Sequence, residues 1–166
     1  SDLLTTLTPA DASLARARVL DSLARRAPQN AGQVARWLTE ALALREAEAD
    51  ADAAVTMDVR LRLVQALQAT GDPATAEQQL RRGIDVAGAA NGDALVEAPI
   101  TELAWLLIDS GRPADALREL ASWRHGRPGL PSHQREAFTL AEAWALFEDG
   151  QADMAIELLT AALPAV

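Results

Sequence analysis

The sequence contains no lysine, no cysteine and no tyrosine, and aromatic residues make up only 4% of it. Without lysine the chain cannot supply a Schiff-base nucleophile or a Walker A loop, and without cysteine it has no thiol catalysis, disulfide or zinc–thiolate site. All 15 basic residues are therefore arginine, and 24 acidic residues give a formal net charge of −9. Since nucleic acids and anionic membranes require a basic surface, this balance argues against both as partners.

Long apolar runs and a leader sequence are also missing. The longest apolar run near a helix centre is AWLLI, from Ala104 to Ile108, whereas a bilayer requires about 20 residues. The first residues, SDLLTTLTP, have no basic region, no apolar region and no initiator methionine. We therefore expect a piece excised from a larger protein, cytoplasmic in preference to periplasmic, the latter requiring a signal peptide on the parent chain.

What the sequence does contain favours helices. It has 37 alanines among its 166 residues, together with many Leu, Arg and Glu, and these are the residues with the highest helix propensity. The alanine and arginine bias without lysine also suggests a bacterial, GC-rich genome. We predict an all-α protein that forms a single domain over residues 1–166.

Helix-breaking residues divide the chain into segments with helical periodicity. Pro9, Pro73 and Pro113 each stand where a helix can begin, because proline fixes a backbone angle suited to the first turn. We predict eight helices, over residues 9–27, 31–49, 54–70, 73–88, 93–110, 113–124, 132–149 and 152–163.

A repeat with a long period runs through these segments. Gly71, Gly111 and Gly150 are almost evenly spaced along the chain. Each is followed five residues later by alanine and four after that by leucine, in the pairs Ala76 and Leu80, Ala116 and Leu120, and Ala155 and Leu159. Such a period predicts a solenoid, in which stacked helix pairs bury apolar faces that one pair would leave exposed.

These residues resemble the tetratricopeptide repeat (TPR) family. The family's pattern of apolar and small residues is matched in the third repeat by Ile100, Leu103, Ala104, Leu107, Ala116 and Leu120. The second and fourth repeats match it in Leu63, Val64, Leu67, Ala76 and Leu80, and in Ala143, Leu146, Ala155 and Leu159. The period exceeds the family's usual length of about 34 residues. No repeat has the family's tyrosine, and Glu142 stands where leucine is expected. The resemblance implies a right-handed superhelix of about four antiparallel pairs, over residues 9–50, 54–89, 93–124 and 132–164.

The resemblance also implies that the first helix of each pair lines a concave groove that binds a partner. The family's groove positions, transferred by register from each glycine, are Asp58, Leu61, Gln65, Gln68, Thr101, Trp105, Ile108, Asp109, Leu140, Trp144, Phe147 and Glu148. Trp105, Trp144 and Phe147 would offer an aromatic surface to apolar side chains of a partner. Alternatively, the two tryptophans are core residues that pack neighbouring pairs.

No other pattern predicts a chemical site. His125 and His133 lie eight residues apart without a partner at helical spacing, so we expect no metal there. The sequence predicts no cofactor and no catalytic residues, because nothing converges on its scattered acids. Trp37 and Trp123 lie on second helices, where core packing is expected.

Three functions follow in order of preference. The first is a non-enzymatic scaffold or adaptor module that binds a peptide or protein segment in the groove. The second is a ligand-sensing regulatory domain of a bacterial signalling or transcription-regulatory protein, in which the groove or the end repeat binds a small effector. The third, an enzyme, has no supporting motif. Since Ile156, Leu159 and Leu163 share one face of the last helix, we also expect a further segment or a homodimer to cover the C-terminal pair.

Overall fold

The computed structural model describes residues 9–27, 29–49, 51–89, 93–125 and 132–162. In this part of the chain all regular structure is helical. There are eight helices: α1 (Pro9–Arg26), α2 (Ala31–Glu46), α3 (Ala53–Ala69), α4 (Pro73–Ala89), α5 (Asp93–Asp109), α6 (Pro113–His125), α7 (Ser132–Glu148) and α8 (Ala152–Ala162). The all-α prediction is confirmed. The predicted helix bounds agree to within three residues, and the largest difference is at the end of α2.

The helices form two compact units, which divide between Gln79 and Leu80, inside α4. In the N-terminal unit, α2 packs against both α1 and α3. Its core is built from small and branched side chains that are almost completely buried, among them Ala17, Leu38, Val59 and Leu63.

In the C-terminal unit, consecutive helices pack as antiparallel pairs, and α5 and α7 also contact each other directly. Trp123 of α6 and Phe138 of α7 stack with their ring centroids 4.5 Å apart and their planes 8° from parallel. Trp123 is buried, as predicted for it. Leu117 of α6 packs against a cluster of Ala143, Leu146 and Ala155.

The same turn joins α3 to α4, α5 to α6 and α7 to α8. Gly71, Gly111 and Gly150 have φ angles of 76°, 70° and 79°, a region that side chains with a Cβ atom adopt only at a cost. After α5, the Gly111 N–H donates to the Ile108 carbonyl (2.9 Å) and the Arg112 N–H to the Leu107 carbonyl (2.8 Å). The other two turns have the same pair of bonds, which defines the Schellman C-cap and explains why glycine recurs there.

The small residue that follows each turn is buried. Ala76 and Ala116 are completely buried and Ala155 nearly so. Ala155 of α8 packs beside Ala143 of α7, and two facing alanines let helix backbones approach closely. The repeat register read from the three glycines therefore has a structural basis in these alanines.

Candidate functional site

Apolar side chains on α7 form an exposed stripe in the C-terminal unit. Leu140, Trp144 and Phe147 are spaced four and three residues apart, so they lie on one side of the helix. All three are about half exposed. The rings of Trp144 and Phe147 contact each other in a tilted arrangement, with centroids 6.0 Å apart and planes at 47°. Exposed aromatic groups held together in this way are typical of protein-binding surfaces.

The corresponding positions on α5 are more covered. Thr101 and Trp105 are partly buried, and Ile108 is buried. The Thr101 hydroxyl is buried and has no hydrogen-bond partner among the described residues. Trp105 therefore keeps part of its surface accessible on α5, whereas Ile108 offers little.

Acidic groups accompany this surface. Asp109 and Glu148, each the last residue of its helix, are the candidate acids of α5 and α7. Both side chains are exposed, although Asp109 directly follows the buried Ile108 in α5. Glu102 of α5, which the sequence analysis did not select, is partly buried, and this burial raises the pKa of its carboxyl group above the ordinary value. The sequence signal for this burial was the position of Glu102 inside the apolar segment ITELAWLLI.

The four candidate residues of the N-terminal unit all lie on α3. Asp58 and Gln65 are exposed, and Leu61 and Gln68 are partly buried. Gln65 contributes to the wall of a cavity of about 460 Å³ that is open to solvent. The other residues that line the cavity are Ala24, Arg25, Ala31, Val34, Leu38, Arg62, Ala66 and Ala69. The lining is therefore mostly apolar, with three polar side chains among the nine.

A network of two arginines and two aspartates connects α1 to α3 at this cavity. Arg25 donates to Asp21 (3.2 Å) and to Asp58 (2.9 Å), and Arg62 pairs with Asp21. The two nearby carboxylates raise the pKa of Arg25, chiefly through its hydrogen bond to Asp21. The network is neutral overall, because its two positive charges balance its two negative charges.

The sequence analysis missed both the cavity and the network. Asp21 with Arg25, and Asp58 with Arg62, have the four-residue spacing of a helical ion pair, and that signal was available. The pairing of Arg62 with Asp21 joins residues that are 41 positions apart. Residue spacing along one helix cannot predict an ion pair between two residues so far apart in the sequence.

The residues considered for metal binding or membrane insertion can be treated briefly. The side chains of His125 and His133 lie outside what the structure describes. Within the described ranges, no three His, Cys, Asp or Glu side chains are placed to hold a metal ion. Across the same ranges, no helix combines the length and the apolar character that crossing a membrane requires.

Comparison with known proteins gives a similarity of fold. No known family pattern and no curated protein sequence matches the chain. Among solved structures, it is similar to a protein from Podosopora anserina described as a kinesin light chain, with nearly identical TPR-like repeats. The TM-score is 0.70 at 23% sequence identity, and the match covers 89% of this chain and 73% of the other.

The chain therefore has the fold of a TPR-like helical-repeat protein, and the resemblance seen in the sequence is confirmed at the level of the fold.

Proposed function

We propose that this chain is a non-enzymatic interaction module, which binds a peptide or protein segment on the first helices of its pairs. The observation that supports the proposal most directly is the exposed stripe of Leu140, Trp144 and Phe147 on a TPR-like fold. Contiguous exposed aromatic surface costs solubility, and in soluble proteins it usually marks an interaction site. Asp109 and Glu148 would favour a basic residue beside the apolar side chains of the partner.

Under this proposal the candidate residues of each unit bind the partner on the surface of that unit, and a single domain over residues 1–166 stays a prediction. Trp144 and Phe147 would be the main anchors, with Trp105 beside them. A cytoplasmic location, a bacterial origin and a homodimer through the α7–α8 pair remain predictions.

Replacing Trp144 tests whether it contributes to binding or to the core. In Trp144→Ala, we expect the free energy of unfolding to fall by no more than about 1 kcal/mol, because the indole is already half exposed. Peptides selected against the parent chain by phage display should then bind the variant about 2 kcal/mol more weakly.

Trp123→Ala is the matched control, because this indole is buried against Phe138. It should cost about 3–5 kcal/mol of stability through the cavity it creates. Equal losses of stability in the two variants, measured by urea denaturation, would show that Trp144 is a core residue and would remove the aromatic binding surface.

The cavity of the N-terminal unit supports a second function, the sensing of a small effector. Its volume of about 460 Å³ lies within the range of small-molecule sites, about 300–1,000 Å³. The mostly apolar lining and the charge-balanced network favour a ligand without net charge.

Thermal-shift screening with neutral and zwitterionic metabolites tests this alternative. A ligand that raises the melting temperature should lose its effect in Ala69→Trp, which places an indole in the cavity, and keep it in Ala74→Trp on the exposed start of α4. No shift with any compound, or equal shifts in both variants, would contradict a sensor function for the cavity.

A further inference from the structure

The repeat allows each residue of the α5–α6 pair to be compared with its counterpart in the α7–α8 pair. Gly111 and Gly150 occupy the same place in the same turn, so aligning these two glycines gives the counterpart of every other residue. Ile108 corresponds to Phe147, Leu117 to Ile156 and Leu120 to Leu159.

These counterparts differ strongly in exposure. Ile108 is 6% exposed and Phe147 56%, while Leu120 is 2% exposed and Leu159 40%. Leu117 packs against the Ala143, Leu146 and Ala155 cluster, whereas Ile156 is 63% exposed. The α5–α6 pair is covered by α7, which contacts both of its helices. The same face of the α7–α8 pair is uncovered within the described residues. Phe147, Ile156 and Leu159 are called the terminal face below.

The α5–α6 pair shows what kind of element fits such a face. Its cover, α7, is a helix that turns Phe138, Ala141 and Ala145 inward, and all three are buried. The Phe138 ring stacks on Trp123 of α6. Because the helical repeat reproduces the backbone geometry of each pair, a helix with an apolar stripe matches the terminal face in the same way.

The charge of the α7–α8 pair limits which helix can bind there. Together, α7, α8 and the turn between them have six acidic residues, one arginine, Arg135, and one histidine, His133, the last two near the start of α7. These acids are Glu136, Glu142, Glu148, Asp149, Asp153 and Glu157. Only Glu142 has an arginine partner among the described residues, in Arg124 of α6 (2.5 Å). A second copy of this face would bring like charges together, whereas a basic helix would be attracted to it.

We propose that the terminal face binds an amphipathic helix of a partner protein, in which arginines or lysines flank an apolar stripe. The apolar stripe packs on Phe147, Ile156 and Leu159, in the position that α7 takes on α5–α6, and the basic residues face the acids of α7 and α8. This inference goes beyond the proposed groove function, because Ile156 and Leu159 lie on α8 and are not groove residues.

A peptide copied from α7 provides a defined probe. The basic probe has the sequence of residues 132–148 with Glu136→Arg, Glu142→Arg and Glu148→Arg, and the matched probe keeps the three glutamates. Titration of the full chain, followed by fluorescence anisotropy, should show saturable binding of the basic probe. Its affinity should exceed that of the acidic probe by at least about tenfold at low salt, and the difference should shrink at high salt.

Variants on opposite sides of α8 locate the binding surface. Ile156→Gln with Leu159→Gln should weaken binding of the basic probe by at least about tenfold, since it removes apolar contacts of exposed residues. Met154→Gln is the control, because Met154 is also exposed but lies roughly 140–200° around the helix from the other two.

Three results would overturn the proposal. They are the absence of saturable binding of the basic probe, equal affinity for both probes at low salt, and an equal loss of binding in Met154→Gln. Sedimentation equilibrium adds a fourth: a dimer that Ile156→Gln with Leu159→Gln dissociates would show that a second copy covers the face. Failure of the Trp144→Ala test would leave these results unaffected, so the two proposals can fail separately.

Discussion

Arg60 shows at the scale of one residue how a charged group contributes to the fold. Its side chain is only 2% exposed, in the middle of α3. It pairs with Glu46 at the end of α2 and donates to the Gln79 side-chain oxygen of α4 (3.2 Å). One guanidinium group therefore links three helices of the N-terminal unit. Guanidinium suits this role because its fixed donors can satisfy several acceptors at once.

Arg60→Ala should lower the free energy of unfolding by about 2–4 kcal/mol, since it leaves a cavity and removes the buried guanidinium that pairs with Glu46. Urea denaturation monitored by circular dichroism measures the loss. Arg16→Ala, which breaks a pair between exposed side chains, should cost less than about 1 kcal/mol. Similar losses in the two variants would contradict the structural role of Arg60.

Glu102 predicts a dependence of stability on pH. Burial raises its pKa in the folded state above the ordinary value of the unfolded chain. Between those two values the folded state binds more protons than the unfolded state, so this residue makes stability fall as the pH rises through that window. Glu102→Gln should therefore melt at a higher temperature than the parent at pH 7.

This advantage of Glu102→Gln should disappear at a pH below the ordinary glutamate pKa, where the carboxyl group is protonated in both states. Thermal melts from pH 3 to pH 8 test the effect, with Glu136→Gln as an exposed control. A difference between Glu102→Gln and the parent that stays constant across this range would show that burial does not penalise the charged carboxylate.

At the scale of the helix pair, the turn and the small residue act together. The glycine turns the chain through a positive φ, and the alanine five residues later is buried inside the packed helices. Ala76 and Ala116 have no exposed surface. A larger side chain at either position would have to push its helix away from its neighbour.

Ala116→Leu should therefore destabilise the protein by about 1–3 kcal/mol through overpacking. Ala114→Leu is a close control, because Ala114 lies on an exposed part of the same helix and should change stability by less than about 0.5 kcal/mol. Thermal denaturation of both variants gives the comparison. An unchanged melting temperature for Ala116→Leu would remove the repeat register.

At the scale of the whole molecule, contacts are mostly between helices that are near in sequence. The N-terminal unit is held by contacts of α2 with α1 and α3, and the C-terminal unit by contacts among α5, α6, α7 and α8. In proteins built from such neighbours, stability is close to a sum of local terms. A substitution in one helix pair should therefore promote local unfolding mainly in the unit that contains it.

Hydrogen exchange can measure this locality. In Ala116→Leu, amide exchange should become faster in α5 and α6 and stay near the parent rate in α1 and α2. In Arg60→Ala, amide exchange should instead become faster in α1 and α2 and stay near the parent rate in α5 and α6. Uniform acceleration over the whole chain in either variant would mean that the molecule opens only as one cooperative unit.

Helices and their turns were readable from the sequence because they depend on local physics. Proline at the first turn predicted the starts of α1, α4 and α6, and glycine at the C-cap predicted the ends of α3, α5 and α7 to within one residue. The alanine-rich end of α2 was predicted to continue to residue 49, but the helix stops at Glu46. Helix propensity alone does not fix this end, because the chain must turn there to begin α3, which Asp52 caps.

The exposure of the candidate residues could be predicted only in part from the sequence, because equivalent positions in two repeats need not be equally exposed. In the repeat register, Trp105 of α5 is equivalent to Trp144 of α7, and Ile108 is equivalent to Phe147. Only the tertiary structure decided that Ile108 is buried while Phe147 is exposed. Exposure depends on which helix packs next, and residues within one pair do not encode that.

The sequence alone thus determined where the chain forms helices, where it turns and which small residues recur between them, because these properties arise from near neighbours in the chain. The tertiary structure decided the burial of Arg60, the network that joins Arg25 and Arg62 to Asp21 and Asp58, the cavity beside it and the open terminal face. Each of these depends on how one helix packs against other helices. Which helices pack together depends on side-chain packing and desolvation along their whole length, and no short sequence pattern specifies it.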